Sequence, residues 1–138
     1  MLLVVIVAAI YLAAFNVMAG AGIKYSMALA LTSFAALPLA VKDLLGIPII
    51  LLKDPSAINP ENFIASNLAA LLPSGAPIWQ QVLAGSVDVF RIWVLILTAI
   101  AFTAANPRKL TLGKSLRIVI GLQVLIILFF TGIAAIFA

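Results

Sequence analysis

The sequence predicts an all-α polytopic membrane protein, a helical bundle of four transmembrane helices with one or two interfacial amphipathic helices. Three observations predict it. Hydrophobic residues make up 66% of the chain and charged ones only 9%, where a soluble domain carries roughly a quarter. The mean hydropathy is +1.33. Long apolar runs recur along the 138 residues, each near the ~20-residue length of a bilayer-crossing helix. A soluble domain of this size leaves too much chain in water to hide so much apolar surface. Composition therefore excludes a soluble globular domain, a disordered chain and a nucleic-acid binder. The net charge of +4 concerns orientation in a membrane.

The first span is predicted over residues 1–23, an uncharged stretch long enough to cross with some tilt. A cleaved signal peptide is disfavoured: no basic segment precedes the apolar run, and the run is too long. Gly20, Gly22 and Lys24 form a short turn, and a second span follows over 25–41, with Pro38 near its far end. Lys42 and Asp43 interrupt it. The apolar stretch from Leu44 to Leu52 is too short to cross alone, at about 1.5 Å of rise per residue. Gly46 and Pro48 also break it, so it reads as a kinked extension of the second helix or as an interfacial piece.

Residues 53–88 form the outer segment, too long for a structureless loop. Asn59 is placed to cap a helix, with Pro60 at its first position and Glu61 in its first turn. Ile64, Leu68, Leu71 and Leu72 then recur at helical spacing, with polar residues opposite, which predicts about three amphipathic turns ended by Pro73 and Gly75. A second short helix starts at Pro77 and presents Ile78, Val82 and Leu83. Both read as interfacial helices with Trp79 at headgroup level. A re-entrant hairpin lining a cavity is the alternative. The third span covers 89–105 and the fourth 118–138, joined by a basic loop, with Asn106-Pro107 stopping the third.

Orientation follows from the cations. The connection between the third and fourth spans carries Arg108, Lys109, Lys114 and Arg117 and no acid, whereas the outer segment is rich in acids. Residues 106–117 are therefore expected to be cytoplasmic, and both termini lie on the other side. The basic loop is also a candidate contact for anionic lipid headgroups, at about 1 kcal/mol per charge near the surface.

Candidate chemistry is sparse. With no His and no Cys, the usual zinc sites, thiol nucleophiles and His-based triads have no side chains to work with. No cofactor or metal is implied. Asp88 and Arg91, three apart at the mouth of the third span, can pair along a helix, and Asp88 suits a helix start. A cap plus an anchoring pair is favoured over a substrate or proton site. Lys42 and Asp43 are adjacent and face apart on a helix, so both read as interfacial anchors. Asn16, Thr32, Ser33 and Gln123, the deepest polar groups, are expected to bond helix to helix at roughly 0.6–2 kcal/mol each.

Two stretches carry a family resemblance. Residues 28–39, with Phe34, small residues and Leu37-Pro38, resemble a span of the Yip (Ypt/Rab-interacting protein) family of multi-spanning membrane proteins. Residues 86–93, with Asp88, Phe90 and Trp93 leading into an apolar span, are similar to the start of a later span in that family. The basic loop and apolar last span also fit, so the resemblance runs from about residue 20 to the end. It implies that Pro38, Asp88, Phe90, Arg91 and Trp93 are binding or structural motif positions. Family members usually have five spans and a cytoplasmic N-terminal segment. This chain is expected to lack that segment and the first span. The Asp-Leu-Tyr-Gly-Pro motif of eukaryotic members is not matched; Asp43-Leu44-Leu45-Gly46-Ile47-Pro48 is one residue too long and follows the wrong span. The resemblance is thus closer to prokaryotic members, implying a bacterial or archaeal plasma membrane, and a Rab GTPase partner does not carry over.

Two functions are weighed. The favoured one is a non-enzymatic scaffold or partner-binding subunit, self-associating or holding another protein. The alternative is a component of a transporter or channel, with 53–88 as a re-entrant or gating segment. A membrane enzyme ranks below both, because the four carboxylates are not expected at depth and leave little for acid–base chemistry.

Overall fold

The computed structural model describes residues 2–52, 64–73 and 75–136. Among the described residues every regular element is a helix, and there is no named strand. Six α-helices follow in order: α1 (Leu2–Ala19), α2 (Tyr25–Ala35), α3 (Leu37–Leu52), α4 (Ile78–Ser86), α5 (Val89–Ala105) and α6 (Leu112–Ile136), with a 3₁₀ turn at Leu68–Leu71.

Among the described residues, three helical stretches are long and apolar enough to cross a membrane: Leu2–Ala19, the run Tyr25–Leu52, and Leu112–Ile136. The third expected span, α5, has 17 residues, about 25 Å at the standard rise and short of a ~30 Å hydrocarbon core.

The chain divides into two compact units. The first comprises Met1–Leu37 and Trp93–Gln123. Its core joins Phe15, stacked on Phe102 at 4.3 Å between ring centres, to Tyr11, Leu110, Ile118 and Val119. Ala8, Ala28 and Ala99 are fully buried, while Leu2, Val17 and Phe34 are largely exposed. Buried alanines at helix contacts and many exposed large apolar side chains match helices that pack closely and face lipid.

α1 ends as its glycines dictate. Gly20, at φ +59°, donates its N–H to the Asn16 carbonyl, a left-handed helix cap that side-chained residues adopt at a cost. Gly22 repeats the positive φ at +65°. The Asn16 side chain then clamps the turn, its amide donating to the Ile23 carbonyl and its oxygen accepting from the Ile23 N–H, both at 2.9 Å.

The second unit comprises Pro38–Ile92 and Val124–Ala138. α3 runs as one helix through Gly46 and Pro48 to Leu52. The interruption in the run 25–52 falls at Ala36. Pro38 explains it: it has no N–H to donate to the Phe34 carbonyl, and its ring crowds the preceding turn.

The expected amphipathic helix over 59–72 is also corrected where it can be followed. Asn59, Pro60 and Glu61 lie outside the described residues. Residues 65–67 are not helical, and Leu68–Leu71 is a single 3₁₀ turn capped by the Asn67 side chain on the Ala69 N–H. Asn67 faces Asp88 in an isolated antiparallel bridge, with Leu68 N–H donating to the Val87 carbonyl and Val89 N–H to the Ser66 carbonyl. Ser and Asn bond to local backbone outside helices as readily as within them, and here that competition wins over the apolar spacing. The second short helix forms as expected, following Pro77, with Ile78, Trp79 and Leu83 exposed.

The fourth helix begins at Leu112 rather than 118. Thr111 precedes it, its hydroxyl accepting from the Lys114 N–H at 3.3 Å and its carbonyl from the Ser115 N–H. Lys114 and Arg117 therefore stand on the first turns of α6, and the basic loop proper is 106–111.

Candidate functional site

The chemistry of the second unit converges on Asp88. This residue is buried at the start of α5, where Oδ1 accepts from the Phe90 N–H at 2.9 Å and the Arg91 N–H at 3.3 Å. That is the helix-start role expected from its position. The ion pair is different from the expected one. Oδ2 meets Lys42 Nζ at 2.6 Å, and Arg91 reaches the carboxylate only through its backbone. The Ser66 hydroxyl donates to the same Oδ2 at 2.5 Å. Lys42 is thus the partner of a residue 46 positions later, not merely an anchor.

This arrangement sets the charge state. Burial pushes the Asp88 carboxyl up, but the hydrogen bonds from Lys42, Ser66 and the Arg91 N–H, together with the Lys42 charge, outweigh burial and hold it below the usual carboxylate value. The carboxylate stays ionised and fully engaged on both oxygens.

Beside the pair lies a pocket of about 540 Å³. Lys42, Asn67, Gln81, Asp88 and Arg91 supply its polar lining, and the rest is aliphatic or glycine. Gln81 is held in place by donating to the Ala76 carbonyl at 2.7 Å. The Arg91 side chain is exposed and meets no acceptor among the described residues.

The other motif positions are dispersed. Pro38 is buried at the start of α3. Phe90 is half-buried. Trp93 belongs to the first unit and is 47% exposed. Sequence reasoning did not connect Ser66, Gln81 or Asn67 with Asp88. The available signal was topological: the end of a second span and the start of a third lie at the same membrane face, so the charges there, Lys42 and Asp88, are natural partners.

A second charged region lies in the first unit. Lys24, Arg108, Lys109, Lys114 and Arg117 are all exposed, and this unit contains no acidic residue. Two contacts bind its connections together: Asn106 Nδ2 donates to the Ala21 carbonyl and Lys109 Nζ to the Gly20 carbonyl, each at 2.7 Å. Lys109 is therefore partly a structural clamp, while Arg108, Lys114 and Arg117 are directed to the surroundings.

The deep polar groups do not act as the interhelical bonds expected of them. Asn16 clamps its own turn, and Ser33 donates to the Leu29 carbonyl within α2. The Thr32 hydroxyl is buried without a partner among the described residues. Other groups link helices: the Thr103 hydroxyl donates to Ser115 at 2.8 Å between α5 and α6, and the Tyr25 hydroxyl of α2 donates to the Val5 carbonyl of α1 at 3.2 Å.

No family model, no curated protein and no solved structure matches this chain.

Proposed function

We propose that this chain is a non-enzymatic, Yip-like integral membrane protein of four spans, serving as a scaffold or partner-binding subunit in membrane organisation or trafficking. One observation carries the reading: Asp88, the best of the motif residues behind the resemblance, spends both carboxylate oxygens on internal partners. A carboxylate so engaged organises structure rather than transferring protons. The acid-free cluster of Lys24, Arg108, Lys109, Lys114 and Arg117 fits a cytoplasmic face that meets anionic lipid headgroups. Residues 106–117 are cytoplasmic in this reading, and the membrane is a bacterial or archaeal plasma membrane.

Crosslinking in native membranes followed by co-purification tests it. A recovered protein partner or a self-crosslinked species is the expected result, and recovery of neither overturns it.

The pocket beside Asp88 favours a second reading, a component of a transporter or channel. Reconstituted vesicles decide between them: solute or ion flux that Asp88→Asn or Arg91→Gln abolishes promotes this reading over the scaffold.

A further inference from the structure

The pocket of the second unit holds more than a structural ion pair requires. Its volume of about 540 Å³ lies within the roughly 300–1,000 Å³ typical of small-ligand sites. Among the described residues its lining carries two cations, Lys42 and Arg91, against one carboxylate, Asp88. Lys42 is matched by Asp88, so the uncompensated charge is that of Arg91.

Asp88 has no free oxygen to offer a cation, since Oδ1 accepts backbone N–H groups and Oδ2 accepts Lys42 and Ser66. Among the described residues, the charge left without a partner therefore favours an anion. A guanidinium with its donors open suits a phosphate or carboxylate in particular, because its planar fork bonds two oxygens at once. Beside the polar groups, which include Asn67 and Gln81, Leu39, Leu72, Ile78 and Val82 give the wall an apolar stretch. That stretch offers a purely inorganic anion nothing to bind.

We propose that this pocket binds a single anionic amphiphile, a phosphate-headed molecule with an aliphatic tail, its headgroup on Arg91 and its tail along Leu39, Leu72, Ile78 and Val82. The assignment rests on neither functional reading above: a scaffold and a transporter component can each hold such a molecule.

The test uses the full-length chain in neutral detergent micelles, with binding followed by native mass spectrometry. Dodecyl phosphate, dodecyltrimethylammonium and inorganic phosphate serve as probes. Dodecyl phosphate binds saturably at one molecule per chain. The cationic amphiphile and inorganic phosphate bind at least about tenfold more weakly. Arg91→Gln weakens dodecyl phosphate by about tenfold, the effect of losing one charge-assisted hydrogen bond, and Arg91→Lys restores part of it. Val82→Phe, which narrows the pocket without touching its charges, weakens it too, so the assignment stays testable if one variant fails to fold. Equal uptake of dodecyltrimethylammonium overturns the anion site. Equal binding of inorganic phosphate overturns the amphiphile. Binding indifferent to both Arg91→Gln and Val82→Phe, or no binding of any probe because another part of the chain fills the pocket, overturns the location.

Discussion

Asp88 and Lys42 form an ion pair at 2.6 Å although 46 residues separate them. The carboxylate is buried and the Lys42 side chain is 23% exposed. Removing one member of such a pair leaves the other poorly solvated, which costs more than the pair itself is worth. Lys42→Met is expected to destabilise the protein by about 3 kcal/mol, and Asp88→Ala by more, because it also uncaps α5 and strands the Ser66 hydroxyl. The double variant should cost less than the sum of the two. Unfolding of the purified chain in micelles measures all three, and strict additivity would show that the pair carries no coupling.

The same carboxylate gives stability a pH dependence. Its pKa in the folded state lies below the unfolded value of about 3.9. The folded state therefore holds the proton less tightly than the unfolded chain. Its contribution is complete above about pH 4 and is lost as pH falls through the lowered folded value. The informative quantity is the difference between the wild-type chain and Asp88→Asn, which isolates this carboxylate. That difference is expected to be constant from neutral pH to about pH 4 and to shrink below it. A difference that instead grows on acidification contradicts the sign assigned here.

The two compact units were legible in the sequence to different degrees. Helices α1, α5 and much of α6 follow from uninterrupted apolar runs, because period and length alone decide them. The start of α6 was hidden, because Lys114 and Arg117 read as loop charges, while the Thr111 cap that draws them into the helix is a single hydroxyl. The break at Ala36, inside the span expected over 25–41, was missed although Pro38 is its local signal. The helix expected through Ile64 to Leu72 failed because Ser66 and Asn67 pair with the chain around Asp88, a contact with no local signature. Asp88 was found as a helix start from its neighbours; its ion pair required knowing which helix ends lie side by side.

Membrane orientation can be read with single cysteines, since the natural chain has none. Ser115 is fully buried and would resist any reagent whatever its side of the membrane. Lys114 and Leu71 are exposed, the latter at 80%. Leu71→Cys in intact cells should react with a membrane-impermeant maleimide, and Lys114→Cys only after permeabilisation. Labelling of position 114 from outside reverses the orientation drawn from the cations.

The turn between α1 and α2 rests on one side chain. Asn16 both donates to and accepts from Ile23 at 2.9 Å, replacing the bonds that the backbone there cannot make to a helix or sheet. Ile23 is itself buried in the core of the first unit, so its N–H and carbonyl cannot turn to water without disturbing that core. Asn16→Leu removes both partners and leaves two backbone groups unsatisfied, at about 1–3 kcal/mol apiece. Asn16→Asp keeps the acceptor and loses the donor, and should fall between Leu and the natural residue only if its charge remains solvated. Gly22→Ala, at φ +65° with no neighbour in the way of a methyl group, is expected to cost only about 1 kcal/mol, for the backbone conformation alone. Thermal unfolding in micelles should therefore rank Asn16→Leu well below Gly22→Ala. The reverse order would place the turn's stability in its glycines and not in the Asn16 clamp.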